Sequence, residues 1–208
     1  MKIAVLLLIA GAAFARAQPG AVTFPAPDGH TLHAEQFGRG PRGVVLVHGG
    51  RFTKEGWRKQ GEILAQHGFR VLAVDFREQY PDVLTAVRYL RAHGVKSVAV
   101  VGASMGGDAA GNASVESRPG EIDRLVFLAS AGGDFPGRLK GKKLFILSRD
   151  DANTAGPRLP RISAAYTAAP GPKQMVILEG SAHAQFLFDT DQGPRLMQEI
   201  LRFLQSKP

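Results

Sequence analysis

The chain has 208 residues, with 26 lysines and arginines against 18 aspartates and glutamates, a formal charge of +8 and no cysteine. That length suits one sheet-centred domain, and the missing cysteines exclude disulfides, a thiolate nucleophile and cysteine-based metal sites. The positive excess is scattered over Arg39, Arg42, Lys54, Arg58, Lys59, Arg138, Lys140, Lys142 and Lys143 with no helical stripe interleaved with aromatics, which argues for a solvated basic surface and against a specific nucleic-acid interface.

Lys2 precedes an apolar run over residues 3–15, and Ala15-Arg16-Ala17 supplies small residues at the two positions a signal peptidase reads. Residues 1–17 are therefore expected to be a secretory signal peptide, cleaved after Ala17. The run is too short for a comfortable bilayer span, which needs ~20 residues, so no transmembrane segment is expected. Export to the periplasm or the medium follows, with residues 18–208 as a single domain whose charge falls to +6 when Lys2 and Arg16 are lost.

Residues 22–24 and 31–37 flank Asp28-Gly29, a hairpin turn signal. The apolar residues 44–47 read as a strand and run into His48-Gly49-Gly50. A helix is expected over about 54–66, where Trp57 suits helix-to-sheet packing. A strand is expected over 71–76, and another helix over 81–92, whose Leu84, Val87 and Leu90 recur at helical spacing. His67 and His93 stand before Gly68 and Gly94, where a cationic side chain favours a helix C-terminus.

Residues 98–101 are a continuous β-branched and alanine run, expected of a strand covered on both faces. It feeds into Gly102-Ala103-Ser104-Met105-Gly106, the G-x-S-x-G nucleophile elbow. A serine on a sharp strand-to-helix turn needs neighbours without bulk two residues before and after it. The Ser104 hydroxyl then stands at the carboxyl edge of the sheet.

A serine hydroxyl is a weak nucleophile until a base takes its proton, so a histidine and an orienting acid are required. Strands over 143–147 and 174–178 end in Ser148-Arg149-Asp150-Asp151 and in Glu179-Gly180-Ser181-Ala182-His183. Both loops lie past strand carboxyl ends, the edge where open α/β sheets place ligands. His183 is the expected base; the acid is Asp151 or its neighbour Asp150. A last helix is expected over 193–205.

These segments resemble the α/β-hydrolase superfamily over about residues 22–206. The resemblance implies an α/β fold: a doubly wound, mostly parallel sheet with helices on both faces. It selects Asp151 over Asp150, because the family's acid lies three residues past a small residue like Ser148; Asp134, after the preceding strand, is a weaker alternative. It also implies an oxyanion hole from the backbone N–H groups of Met105 and Gly50, with the His48 ring fixing that loop. Arg51 and Phe52 follow and are expected to line the substrate pocket, Arg51 as a site for a substrate carboxylate. Only a short stretch separates residues 130 and 144, so no lid fits. That absence pushes the resemblance toward the small capless hydrolases, including the dienelactone-hydrolase-like branch, whose namesake uses cysteine where Ser104 stands.

The expected activity is hydrolysis of small or medium carboxylic esters through an acyl-enzyme, with no cofactor and no metal. The runner-up readings are an amidase or peptidase using the same residues, and an exported binding protein that keeps the shell without turnover.

Overall fold

A computed structural model describes residues 19–207. The expected signal segment, residues 1–17, lies outside the described residues. In chain order the elements are β1 (Gly20–Pro25), β2 (Thr31–Phe37), β3 (Arg42–Val47), α1 (Arg58–Gln66), β4 (Phe69–Asp75), α2 (Tyr80–Ala92), β5 (Ser97–Ala103), α3 (Met105–Glu116), β6 (Arg124–Leu128), β7 (Lys142–Ser148), β8 (Ala152–Asn153), β9 (Gly156–Pro157), α4 (Leu159–Ala168), β10 (Lys173–Leu178) and α5 (Gly193–Gln205).

Eight strands form one sheet in the order β1-β2-β4-β3-β5-β6-β7-β10, while β8 and β9 pair as a small separate hairpin. β1 and β2 are joined by the anticipated turn, with Gly29 at φ +83°, and β2 runs antiparallel to both β1 and β4. Every other pairing within the eight-stranded sheet is parallel. Successive residues of the central strands are all buried: Val44, Val45, Leu46 and Val47 on β3, and Val98, Val100 and Val101 on β5, are at most 1% exposed. Burial without alternation means that both faces of the sheet are covered, as the unbroken apolar runs require.

The helix expected over 54–66 is a short 3-10 turn, Lys54–Trp57, followed by α1. Trp57 is 1% exposed and meets Phe188 edge-on at 5.9 Å, a packing residue as read. Helix α4 was not anticipated. Pro160 sits at its first turn, where a proline is tolerated because that N–H has no intrahelical acceptor. Between β6 and β7 there is only a loop carrying the 3-10 turn Pro136–Arg138, so no lid crosses the carboxyl edge.

Candidate active site

The elbow joins β5 to α3. Ser104 has φ +50° and ψ −116°, a conformation outside the broad regions open to L-residues, and its N–H donates to Leu128 O at 2.8 Å. The flanking glycines are there because backbone fills the space a side chain would need. A Cβ on Gly106 would stand 2.4 Å from His48 O, and one on Gly102 would stand 2.3 Å from Gly106 O.

His183 Nε2 lies 2.8 Å from Ser104 Oγ, and its Nδ1 lies 2.7 Å from Asp151 Oδ2. An ionised carboxylate only accepts, so the ring carries its proton on Nδ1 and leaves Nε2 to accept the serine proton. Asp151 is 1% exposed; Asp150 is exposed, and its N–H donates to Gly180 O at 3.0 Å. Of the two adjacent aspartates, Asp151 is the one within hydrogen-bond distance of the His183 ring. Asp134 accepts from Asn112 Nδ2 at 2.9 Å, away from the ring. Ser148 Oγ donates to Ala182 O and ties the loop of Asp151 to the loop of His183.

Arg158 escaped the sequence reading. Its Nε donates to Asp151 Oδ1 at 3.2 Å and its backbone N–H donates to Asp151 O at 2.8 Å. The carboxylate therefore has a donor on each oxygen, which a buried charge needs.

The loop after β3 lies against the elbow: a Cβ on Gly49 would be 3.7 Å from Ser104 Cβ. Gly49 N–H is taken up by Gln185 Oε1 at 2.7 Å, and Phe52 N–H closes a turn onto Gly49 O at 3.0 Å. None of the described hydrogen bonds engages the N–H of Gly50 or of Met105. The His48 ring is 7% exposed, with Nδ1 donating to Gly49 O at 3.0 Å and Phe76 edge-on at 5.0 Å, so it braces the loop. His67 and His93 place Nδ1 2.8 Å from Ile63 O and Tyr89 O, closing the ends of α1 and α2.

A pocket of about 480 Å³ opens over Ser104 and His183, lined by Gly50, Arg51, Phe52, Met105, Asn153, Arg158 and Phe186 among others. The anticipated Arg51 and Phe52 are both on its wall. Phe52 packs on Phe186 at 4.9 Å between ring centroids.

A parallel sheet with an antiparallel amino-terminal hairpin, an elbow serine after β5, an acid after β7 and a histidine after β10 is a specific arrangement. The chain has the α/β-hydrolase fold. A model of the alpha/beta hydrolase family matches residues 44–140, the stretch that holds the loop after β3 and the elbow. No curated protein matches the chain. Among solved structures, a dienelactone hydrolase from Anabaena variabilis shares 21% identity over 90% of this chain and 96% of its own, with a TM-score of 0.74. A predicted CIB-like hydrolase from Thermoplasma acidophilum shares 20% over 90% and 98%, with a TM-score of 0.71. The esterase Pf2001 of Pyrococcus furiosus shares 16% over 91% of each chain, with a TM-score of 0.76. At such identities the likeness speaks for the α/β-hydrolase fold, lidless here as in the sequence reading. Among the described residues, no group of His, Cys, Asp and Glu is arranged to hold a metal, and no helix is long and apolar enough to cross a membrane.

Beyond Arg158, the sequence reading missed Gln185, Asn153 and Phe186. Gln185 stands two residues after His183, which could have drawn attention to it. Arg158 gives no local signal, since its partner is brought to it by the β8–β9 hairpin.

Proposed function

We propose that the protein is a serine hydrolase of carboxylic esters that works through an acyl-enzyme. The observation that carries this reading is the chain of contacts from Ser104 Oγ to His183 Nε2 at 2.8 Å and from His183 Nδ1 to Asp151 at 2.7 Å. Ser104 Oγ attacks the ester carbonyl carbon while His183 Nε2 takes its proton. Negative charge moves to the carbonyl oxygen, where the N–H groups of Gly50 and Met105 are the donors. The C–O bond to the alcohol then breaks and His183 gives its proton to the departing oxygen. Water, deprotonated by His183, attacks the acyl group and frees Ser104.

The pocket volume suits small or medium substrates. Phe52 and Phe186 offer an apolar wall, and the exposed Arg51 is placed for a substrate carboxylate. Hydrolase and esterase activities of the structural neighbours agree with this reading. An amidase would use the same residues, and an ester with the matching amide separates the two.

The segment 1–17 is read as a cleaved export signal preceding one catalytic domain over 18–208. Intact mass of the protein secreted by its native host tests it: a chain beginning at Gln18 is expected, and one retaining residues 1–17 would overturn it.

The activity test is a p-nitrophenyl ester series from acetate to palmitate, with wild type beside Ser104→Ala. Turnover of the short esters and a loss of at least about three orders of magnitude in the variant are expected. A folded wild type silent on every ester and unlabelled by a fluorophosphonate would overturn the reading.

A further inference from the structure

A second cavity, of about 760 Å³, opens at the amino edge of the sheet, opposite the edge that carries Ser104. The strand register builds it. Arg42 begins β3 beside Ser97 of β5, Arg124 begins β6 beside Lys142 of β7, and Lys143 follows on β7 beside Lys173 of β10. With Lys140 from the preceding loop and Lys207 from the segment after α5, six cationic residues line one concave surface: Arg42, Arg124, Lys140, Lys142, Lys143 and Lys207. The acid among the lining residues, Asp123, is already paired with Arg91 at 2.7 Å.

What these cations touch matters. Lys140 Nζ donates to Val115 O at 2.8 Å and to Ser117 O, at the end of α3; Arg124 donates to Ser206 O at 2.6 Å and Lys142 to Lys207 O, at the end of α5; Lys143 Nζ donates to Pro170 O at 2.9 Å. Carbonyl groups satisfy donors without cancelling charge. Helix C-termini contribute roughly half a negative charge each, so the three helices ending here, α3, α4 and α5, offset only about a quarter of six cations. Two further observations point to a missing anion. Arg124 Nε is buried with no acceptor, and Lys143 is 1% exposed, its pKa pushed down by desolvation and by the nearby Lys173.

We infer that this cavity binds a phosphate-bearing polyanion whose linked phosphate groups span the row of cations from Arg42 to Lys142. Guanidinium forks and ammonium groups gathered on one wall match tetrahedral oxyanions that accept several charge-assisted bonds, and the volume admits a ligand of several linked groups. The site is independent of ester chemistry, since the sheet separates it from Ser104.

The test is calorimetric titration of the full protein with inorganic tripolyphosphate at 0.15 M salt, where diffuse attraction is screened beyond about 8 Å. A second arm measures co-sedimentation with vesicles of phosphatidylcholine containing phosphatidic acid. The site variant is Arg124→Gln with Lys142→Gln; Arg42→Gln with Lys142→Gln serves if the first fails to fold. The control is Lys59→Gln with Arg161→Gln, two exposed cations elsewhere, so net charge is matched. Unchanged circular dichroism and melting establish folding. Saturable one-to-one binding of tripolyphosphate is expected, weakened about tenfold or more in the site variant and unchanged in the control. Binding only to the acidic vesicles, whose lipid carries a single phosphate, would overturn the linked-phosphate ligand. Absence of binding in both arms, or equal losses in site variant and control, would overturn the inference.

Discussion

Asp151 stands between His183 and Arg158 and gives one carboxylate oxygen to each: Oδ2 to the ring at 2.7 Å and Oδ1 to the guanidinium Nε at 3.2 Å. Removing the arginine leaves Oδ1 of a buried carboxylate without that donor, a loss of about 1–3 kcal/mol. Arg158→Ala is expected to lower kcat about 10- to 100-fold with a much smaller change in KM, read on p-nitrophenyl acetate. Asp151→Asn, which presents the wrong hydrogen-bonding group to the ring, should cost about 10⁴ in kcat. Equal kcat in Arg158→Ala and wild type would remove Arg158 from the argument.

Gln185 acts through the backbone of Gly49. Its Oε1 accepts the Gly49 N–H at 2.7 Å and holds the loop that presents Gly50 to the elbow. Gln185→Met fills similar space without the acceptor, so the donor at Gly50 should drift. The expected result is a fall in kcat approaching the 10²–10³ typical of losing one oxyanion donor, with Tm lowered by only a few degrees. A variant whose KM alone changed would show that the glutamine shapes the pocket instead.

Ser104 holds a positive φ that a serine adopts only under strain, of the order of 1–3 kcal/mol. Ser104→Gly should abolish activity yet melt above Ser104→Ala, which keeps a Cβ in the same conformation. Differential scanning calorimetry of the two inactive variants decides it. If they melt together, the elbow is not strained.

Gly106→Ala tests the opposite effect. The added methyl would lie 2.4 Å from His48 O and 2.5 Å from Val47 O, both backbone atoms that a side-chain rotation cannot relieve. A cost of about 3 kcal/mol or more, hence a fall in Tm of about 6–12 °C, is expected along with loss of turnover.

Glu121 is gripped by Arg88 and Arg118, and the Arg88 guanidinium holds its carboxyl down at about 2, from an ordinary 4.5. A folded value below the unfolded one means that the stabilisation is complete above pH 4.5 and is lost as pH falls through 2. Both arginines are substantially exposed, so solvent screening leaves about 1–2 kcal/mol. Glu121→Gln should therefore melt below wild type at pH 7, and the gap should close toward pH 2.

Much of this was legible in the letters, and for local reasons. The β-branched runs of β3 and β5 announce buried strands because burial on both faces leaves no room for alternation. Gly102 and Gly106 announce the elbow because the space their side chains would need is filled by neighbouring backbone. The acid was narrowed only to two adjacent positions by residue type; spacing carried from the family made the choice, and the ring sits on Asp151 as that spacing implied. Gln185 escaped because it acts on a partner that only the tertiary fold brings near, 136 residues separating it from Gly49, and Arg158 because the short β8–β9 hairpin that turns it back onto Asp151 gives no local signal. Helix α4 escaped because its opening, Leu159-Pro160, is also what a loop looks like. Lys143 was counted among surface charges, though the strand carries it into the interior.

The proposed reacting groups and the pocket wall are built from different materials. Ser104, Asp151 and His183 follow strands locked into the buried sheet, while Phe52, Asn153 and Phe186 belong to a loop, a small hairpin and a 3-10 turn at its rim. Phe186 is 42% exposed, so replacing it disturbs little of the core. On the proposed esterase reading, substitutions at the rim can therefore alter which ester is accepted without passing through an unstable or inactive intermediate. Such a protein can change its diet by single steps, each one leaving a working enzyme behind.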